Sequence, residues 1–432
     1  MSPPTLDTDG GNTGINGHTN GHTNGHTNGH TEKSQESNGT VFNAPGRIFD
    51  SNISPRVEDL KSICDRVTSS KSYPLAASIQ KNIPIYDMNT FTEKSEDYKF
   101  VEQLKEEWYQ VLFAGPGVIV LKGLYSPDRY QKELDSANAV FQQLLRSETK
   151  KADQEGTEQV GGRVWNSFRK LAVADPDTFV EYFSNPWLSH VSDMWLGPAY
   201  RLTSQVNIVP PSGKAQPGHR DYHMGYFEAD RCVRYPRVIQ TASQFFSLQG
   251  AVAHGDMPAD SGPTRFLPYS QMFEAGYMAH RRQEFQDYFV ANYVSLPLQK
   301  GDGVFFNPAI FHGAGENVTK DFYRHGHLLQ VNSCFVKPME ALGSVAIVRA
   351  CWDILKQRYK EDNGFSHRVE YLIQAVAEGH PFPGNMDKII GGGHEFGMQT
   401  EQDILRRSLK EDWTKEQTLD ALTENRANRN DD

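Results

Sequence analysis

Three residues of this chain are of the right kind and spacing to hold one metal ion. His219 and Asp221 stand two apart in QPGHRDYHMGYF, directly after the strand-like RLTSQVNIV and the turn PPSGKAQPG. In an extended chain residues i and i+2 share a side, so this imidazole and carboxylate can converge on one ion while Arg220 points away. His312 closes LPLQKGDGVFFNPAIFH, where Gly301-Asp302-Gly303 makes a tight turn into an apolar strand. Two imidazoles and one carboxylate make a facial triad, the catalytic and metal-binding set expected here. On an octahedral Fe(II) it leaves three positions open, for a bidentate cosubstrate and for O2.

Another H-x-D occurs at His254-Gly255-Asp256, and the bare pattern does not separate the two pairs. The second runs straight into MPADSGPTRFLPYSQ, whose Pro, Asp and Gly read as a connection between strands with a loop histidine and a turn or capping aspartate. His223, four residues after His219, is spaced for a helix rather than a strand. His325 and His327 flank Gly326 and read as polar surface or as support for the ligands. The histidines of the four-residue repeat at 17–31 (His18, His22, His26, His30) can chelate stray ions, but a flexible tract offers no preorganised geometry.

Twelve residues beyond His312 lies Arg324, in HGAGENVTKDFYRHGHLLQVN. If His312 ends one strand and HLLQVN forms the next, an antiparallel return brings Arg324 beside the metal. Its planar fork suits a bidentate grip on the distal carboxylate of 2-oxoglutarate, where a lysine would supply only a point charge. On TSQVNIV, Gln205 and Asn207 share a face by two-residue alternation, and either can line the cosubstrate pocket.

The elements that must position these groups are short strands. Between about 195 and 340, apolar runs such as TSQVNIV, TASQFFSLQGAVA, GVFFN and HLLQVNSCF alternate with Gly, Pro and Asp turns. No strand-helix rhythm appears, which favours an antiparallel sandwich or jelly roll over a doubly wound sheet. Upstream, helical spacing over 95–113 ends at AGPG, and the β-branched GVIVLKGLY at 117–125 reads as a buried strand leading into a helix capped by Ser126 with Pro127 in its first turn. From 341 onward the pattern is helical again. The expected organisation is a disordered tail over 1–45, an oxygenase domain over 46–340 with its β core from about 115, and a C-terminal helical extension over 341–432.

Composition excludes several classes. The net charge is −10, and no Lys/Arg run is long enough to hold a phosphate backbone, so nucleic acid is not an expected partner. No segment approaches the roughly 18 apolar residues of a membrane helix, and the start lacks the pattern of a signal peptide. Cys64, Cys232, Cys334 and Cys351 are scattered without a metal or redox spacing. A cytoplasmic enzyme acting on a small molecule is expected, and the long C-terminal helices are compatible with a homodimer.

In order and spacing these motifs resemble the phytanoyl-CoA dioxygenase (PhyH) family of Fe(II)/2-oxoglutarate oxygenases. The likeness covers roughly 97–336: the GVIVLKGLY strand, a PG turn before His219-x-Asp221, the DSGPTRFLPYSQ loop, GDGVFFNPAIFHGAGEN and Arg324. The family's DSGPTRFLPYSQ-like loop falls downstream of its metal H-x-D, which selects His219 and Asp221 over His254 and Asp256. The resemblance implies a double-stranded β-helix core (a cupin-like jelly roll) flanked by helices, Fe(II) on His219, Asp221 and His312, and 2-oxoglutarate on Arg324. One departure is visible: family members often carry a serine two positions after the distal histidine, and this chain has Ala314. Asp221 itself disfavours halogenation, because related iron halogenases replace that carboxylate with a small residue. Hydroxylation, desaturation and oxidative ring closure share one oxidant and are not separated by sequence. Readings from other classes are a non-catalytic small-molecule-binding β-sandwich, against which the complete triad argues, and a cupin-type iron dioxygenase independent of 2-oxoglutarate, against which Arg324 argues.

Overall fold

Alternation of apolar side chains along short strands builds the centre of the molecule. The computed structural model describes residues 46–49, 54–155, 162–381 and 399–429; the repeat at 17–31 lies outside them. In chain order the strands are β1 (Ser78–Gln80), β2 (Ile83–Asp87), β3 (Val118–Lys122), β4 (Gly162–Val164), β5 (Arg201–Val209), β6 (Ser247–Ala253), β7 (Arg265–Leu267), β8 (Val294–Ser295), β9 (Gly303–Phe306), β10 (Phe311–Gly313) and β11 (Arg324–Asn332). Eight form one sheet in the order β1-β2-β3-β9-β6-β11-β5-β4, and three form a smaller one, β10-β7-β8. Every pairing is antiparallel except β2 with β3.

The large sheet has two differently covered faces, and β3 shows why. Val118 and Val120 point into an apolar layer shared with Phe266 and with Leu296 and Leu298 around β8, so the small sheet covers that side. Ile119 and Leu121 point the other way, into a core with Trp108, Leu134, Phe168, Phe179 and Trp352 from the helices. Each such side chain contributes about 1.5–3 kcal/mol by leaving water. This is the jelly-roll core with flanking helices that the strand pattern and the resemblance led to.

Helices seal the outer face. Tyr98–Phe113 starts three residues later than the expected Ser95 and is capped by Asp97, whose carboxylate accepts the backbone N–H groups of Lys99 and Phe100. Three short helices, Ser167–Ala174, Pro176–Phe183 and Pro186–Leu196, fill the stretch between β4 and β5. Asp175 and Asn185 cap the last two, each with proline in the first turn. Beyond 340, Ser344–Glu361, His367–Val376, Glu401–Lys410 and Lys415–Arg429 add Ile347, Trp352, Leu372 and Leu405 to the same core. Among the described residues no helix is long and apolar enough to cross a membrane.

Two sequence expectations are corrected. TASQFFSLQGAVA is not one strand: a helix over Arg237–Ser243 takes its start, and β6 begins only at Ser247. Nor are the strands of His312 and Arg324 neighbours. β10 pairs with β7 in the small sheet, whereas β11 lies between β5 and β6 in the large one. Arg324 reaches the metal residues from the opposite sheet, not by an antiparallel return.

Candidate metal centre

The backbone first brings the two histidines together. His219 and His312 exchange both main-chain hydrogen bonds, at 2.8 and 3.0 Å, and so set His219 against the outer edge of β10. Gly218 makes this approach possible, since a Cβ there would lie 2.6 Å from the Phe289 ring. Gly301, at φ +89° and with its Cβ position 2.0 Å from the Tyr125 carbonyl oxygen, makes the turn into β9 that only glycine fits.

Hydrogen bonds then orient the rings. Nδ1–H of His219 donates to the Pro217 carbonyl and Nδ1–H of His312 to the Ile310 carbonyl, both at 2.9 Å. This assigns the tautomer and leaves each Nε2 lone pair free. Nε2 of His219 lies 3.6 Å from Asp221 Oδ1, and Nε2 of His312 lies 3.4 Å from Oδ2. The three ligand atoms all fall within 4.8 Å of one another, a spacing that one ion can bridge. Gln249 on β6 donates from Nε2 to Asp221 Oδ2 at 2.6 Å.

Burial alone would raise the Asp221 carboxyl, but its contact with His312, the two imidazoles and the Gln249 amide outweigh burial and hold it below the usual carboxylate range. Burial, reinforced by His312, holds His219 below the ordinary histidine value. The set is thus disposed as a cation needs it, with a carboxyl held in its charged form beside a His219 imidazole held towards its neutral one.

These groups open on a cleft of about 290 Å³ whose floor is the inner face of the large sheet. Cross-strand register sets that floor in rows. Arg163 on β4 faces Asn207 on β5, and Asn207 faces Gly326 on β11. Gln205 faces Leu328, and Gln330 faces Gln249, which in turn faces Phe306 on β9. Gln205, Asn207 and Arg324 therefore share the cleft with His219, Asp221 and His312.

Arg324 is the unusual member. It is 5% exposed, forms no ion pair with any described residue, and its Nη1 has no hydrogen-bond partner. Burial pushes it down to about 10, yet it keeps its charge at neutral pH. A buried guanidinium without an anion is costly, and the cleft is where its counter-charge can enter.

The rival residues lie elsewhere. His254 is buried on the other face of the sheet, with Nδ1 2.9 Å from Asn138 Oδ1 and Nε2 2.9 Å from the Tyr182 hydroxyl. His327, far from being surface, is fully buried in the same cluster, its Nδ1 3.1 Å from Tyr182 and its Nε2 2.8 Å from Ser204. Asp256 accepts the Lys300 N–H at 2.9 Å, a turn contact. Tyr222 and His223 both take positive φ, 61° and 40°, a rare backbone for bulky side chains that turns the chain off the metal segment and puts Tyr226, not His223, at the cleft.

Sequence reasoning missed Arg163, Gln216, Gln249, Thr264 and Gln330. Arg163 sits on a three-residue strand with too little alternation to be seen. Gln249 had a signal: it is the one polar side chain in the otherwise small and apolar LQGAVA, and it shares a face with Ala251 and Ala253. Among the described residues Thr264 carries the one aliphatic hydroxyl lining the cleft, where Ala314 presents only a methyl.

Known proteins are similar to this chain. Residues 113–326 match the family model described as Phytanoyl-CoA dioxygenase (PhyH). The chain is 26% identical over 213 residues to Dioxygenase trt7 of Aspergillus terreus, covering 48% of this chain and 67% of that one. It is also 26% identical over 152 residues to Dioxygenase cdmA of Talaromyces verruculosus, covering 35% of this chain and 44%, less than half, of that relative. Among solved structures, the non-heme alpha ketoglutarate dependent carbocyclase SnoK from nogalamycin biosynthesis aligns over 54% of this chain and 86% of its own, with 17% identity and a TM-score of 0.39. Residues 113–326 of this chain thus form a phytanoyl-CoA dioxygenase (PhyH) domain, that of a 2-oxoglutarate-dependent non-haem iron dioxygenase.

Proposed function

We propose that His219, Asp221 and His312 hold Fe(II), that Arg324 takes the distal carboxylate of 2-oxoglutarate, and that the enzyme oxidises an unactivated C–H bond of a small metabolite in the cytosol. The observation that carries this reading is the unpartnered, buried Arg324 in one cleft with a complete His-Asp-His set.

The residues fit the cosubstrate as well as the metal. 2-Oxoglutarate is a dianion, and two cations without ion-pair partners among the described residues line the cleft: Arg324 deep within it and Arg163 towards the β4 edge. Burial lowers Arg163 from the ordinary arginine value while Asp221 pulls it back up, so it is close enough to the metal ligands to feel their charge. Thr264, which lines the same cavities as Arg324, can donate the hydroxyl hydrogen bond that Ala314 does not supply. Iron, 2-oxoglutarate and O2 together supply the oxidant that removes hydrogen from carbon. The protein's share is positional: Pro217 and Ile310 carbonyls fix the two imidazoles, Gln249 fixes Asp221, and the cleft walls exclude water and aim one C–H bond.

Adding 2-oxoglutarate to the anaerobic Fe(II) protein is expected to give a weak visible charge-transfer band, and aerobic turnover to release succinate. Bound iron without that band removes the 2-oxoglutarate assignment. Gln249→Leu leaves the ligands in place but frees the Asp221 carboxylate to rotate. Iron affinity is then expected to fall about 10- to 100-fold, the range for losing a hydrogen bond to a metal ligand, as read by competition with a chelator. An unchanged affinity would mean that Gln249 does not position Asp221.

A further inference from the structure

Once the charged groups of the cleft are assigned to iron and cosubstrate, what lines its opening belongs to the substrate. Three large apolar side chains are exposed there although each lines the cleft: Trp165, Tyr226 and Met339, at 46%, 56% and 40%. They come from separate segments, one after β4, one on the turn that follows the metal strand and one after β11. The Tyr226 hydroxyl lies 3.5 Å from the Met339 sulfur, so two of them meet across the opening. Apolar groups from three segments converging on one opening mark a surface meant to be covered by an apolar partner.

The polar groups left over are amides. Gln205 and Asn207 make no side-chain hydrogen bond to any described residue, and Gln330 has its carbonyl oxygen occupied by the Tyr222 hydroxyl, which leaves its N–H groups free. Such groups serve hydroxyl and carbonyl oxygens. Among the described residues the only acidic side chain lining the cleft is Asp221, already committed to the metal, and both other charges are guanidinium. An ammonium group entering the cleft would lose its water and gain no anion, in a field that is positive at Arg163 and Arg324.

Resting on the Fe(II)/2-oxoglutarate reading, we propose that the substrate is a ring compound, apolar over most of its surface, whose polar groups are oxygens rather than amines. Free amino acids and other ammonium-bearing metabolites are excluded as substrates. The ring covers Trp165 and the Tyr226–Met339 pair while its oxygen functions meet Gln205 and Gln330.

A matched pair of probes tests this on the anaerobic Fe(II)·2-oxoglutarate protein: 2-tetralone, an uncharged ring ketone, and 2-aminotetralin, the same ring bearing an ammonium at neutral pH. Binding is read from perturbation of the charge-transfer band and from tryptophan fluorescence. The ketone is expected to bind at least about tenfold more tightly than the amine. Trp165→Ala is expected to weaken ketone binding by about tenfold, and Trp165→Phe to recover most of it, because the lost contact is a ring face. Equal or tighter binding of the amine, no binding of either probe, or full ketone affinity in a folded Trp165→Ala protein each overturns the proposal. The band itself, recorded with 2-oxoglutarate before any probe is added, reports separately on the cosubstrate reading beneath it.

Discussion

Asp221→Ala is expected to abolish succinate release and to strip iron from the purified protein, while Asp256→Ala keeps both close to native. The two aspartates follow histidines in the same H-x-D pattern, so the contrast isolates geometry from motif. Asp221 places its two oxygens 3.6 and 3.4 Å from the free Nε2 atoms of His219 and His312. Removing it leaves two imidazoles and no anion to offset a divalent charge. Loss of iron affinity should therefore exceed the roughly hundredfold that loss of a supporting hydrogen bond alone can cause. Asp256 gives up only the 2.9 Å bond it accepts from the Lys300 N–H, worth about 0.5–1.5 kcal/mol of stability. Metal analysis and a succinate assay on both variants decide the matter. Iron retained at full occupancy in Asp221→Ala would remove Asp221 from the ligand set.

Arg324→Met is expected to move two measurements in opposite directions. With no 2-oxoglutarate present, the native protein bears a buried guanidinium whose Nη1 has no partner, and replacing it with an apolar chain of similar length should stabilise the fold by about 1–3 kcal/mol. Affinity for 2-oxoglutarate should meanwhile fall by about 2–5 kcal/mol, some thirty- to several-thousand-fold, because the distal carboxylate would enter the cleft without its counter-charge. Thermal melts with and without 2-oxoglutarate, alongside titration of the charge-transfer band, read both effects. Arg324→Lys should restore part of the affinity, since it keeps the charge but loses the fork. A variant that melts lower than native and still binds 2-oxoglutarate fully would show that Arg324 serves the fold rather than the cosubstrate.

Much of this architecture was legible in the residues, for a physical reason. Two-residue alternation with turn residues between strands identifies a sandwich, and the same alternation puts Gln205 and Asn207 on one face and pairs His219 with Asp221. What escaped was set by tertiary contact. The partners of β10 and β11 depend on long-range pairing that local pattern does not encode, so Arg324 was sent to the metal by the wrong route. β4 is held by β5 rather than by its own propensity, which hid Arg163. The helix at Arg237–Ser243 overrode an apolar run that reads equally well as strand. His327 read as polar surface or as support for the ligands because a strand's alternation says which residues share a face but not what covers it; here the covering groups, Ser167 and Tyr182, come from helices 160 and 145 residues away in sequence.

The two faces of β11 have a consequence for how such an enzyme changes over time. His327, Leu329 and Val331 point into the helix-covered side, while Arg324, Leu328 and Gln330 point towards the cleft and the inter-sheet layer. Neighbouring residues on one strand thus answer to different selections, one for keeping the chain folded and one for choosing what it oxidises. If Gln330, and Gln205 on the adjacent strand, meet the substrate as proposed, substitutions there retune the chemistry accepted without opening a void on the helix side. A single scaffold can in this way pass from one metabolite to another through folded intermediates.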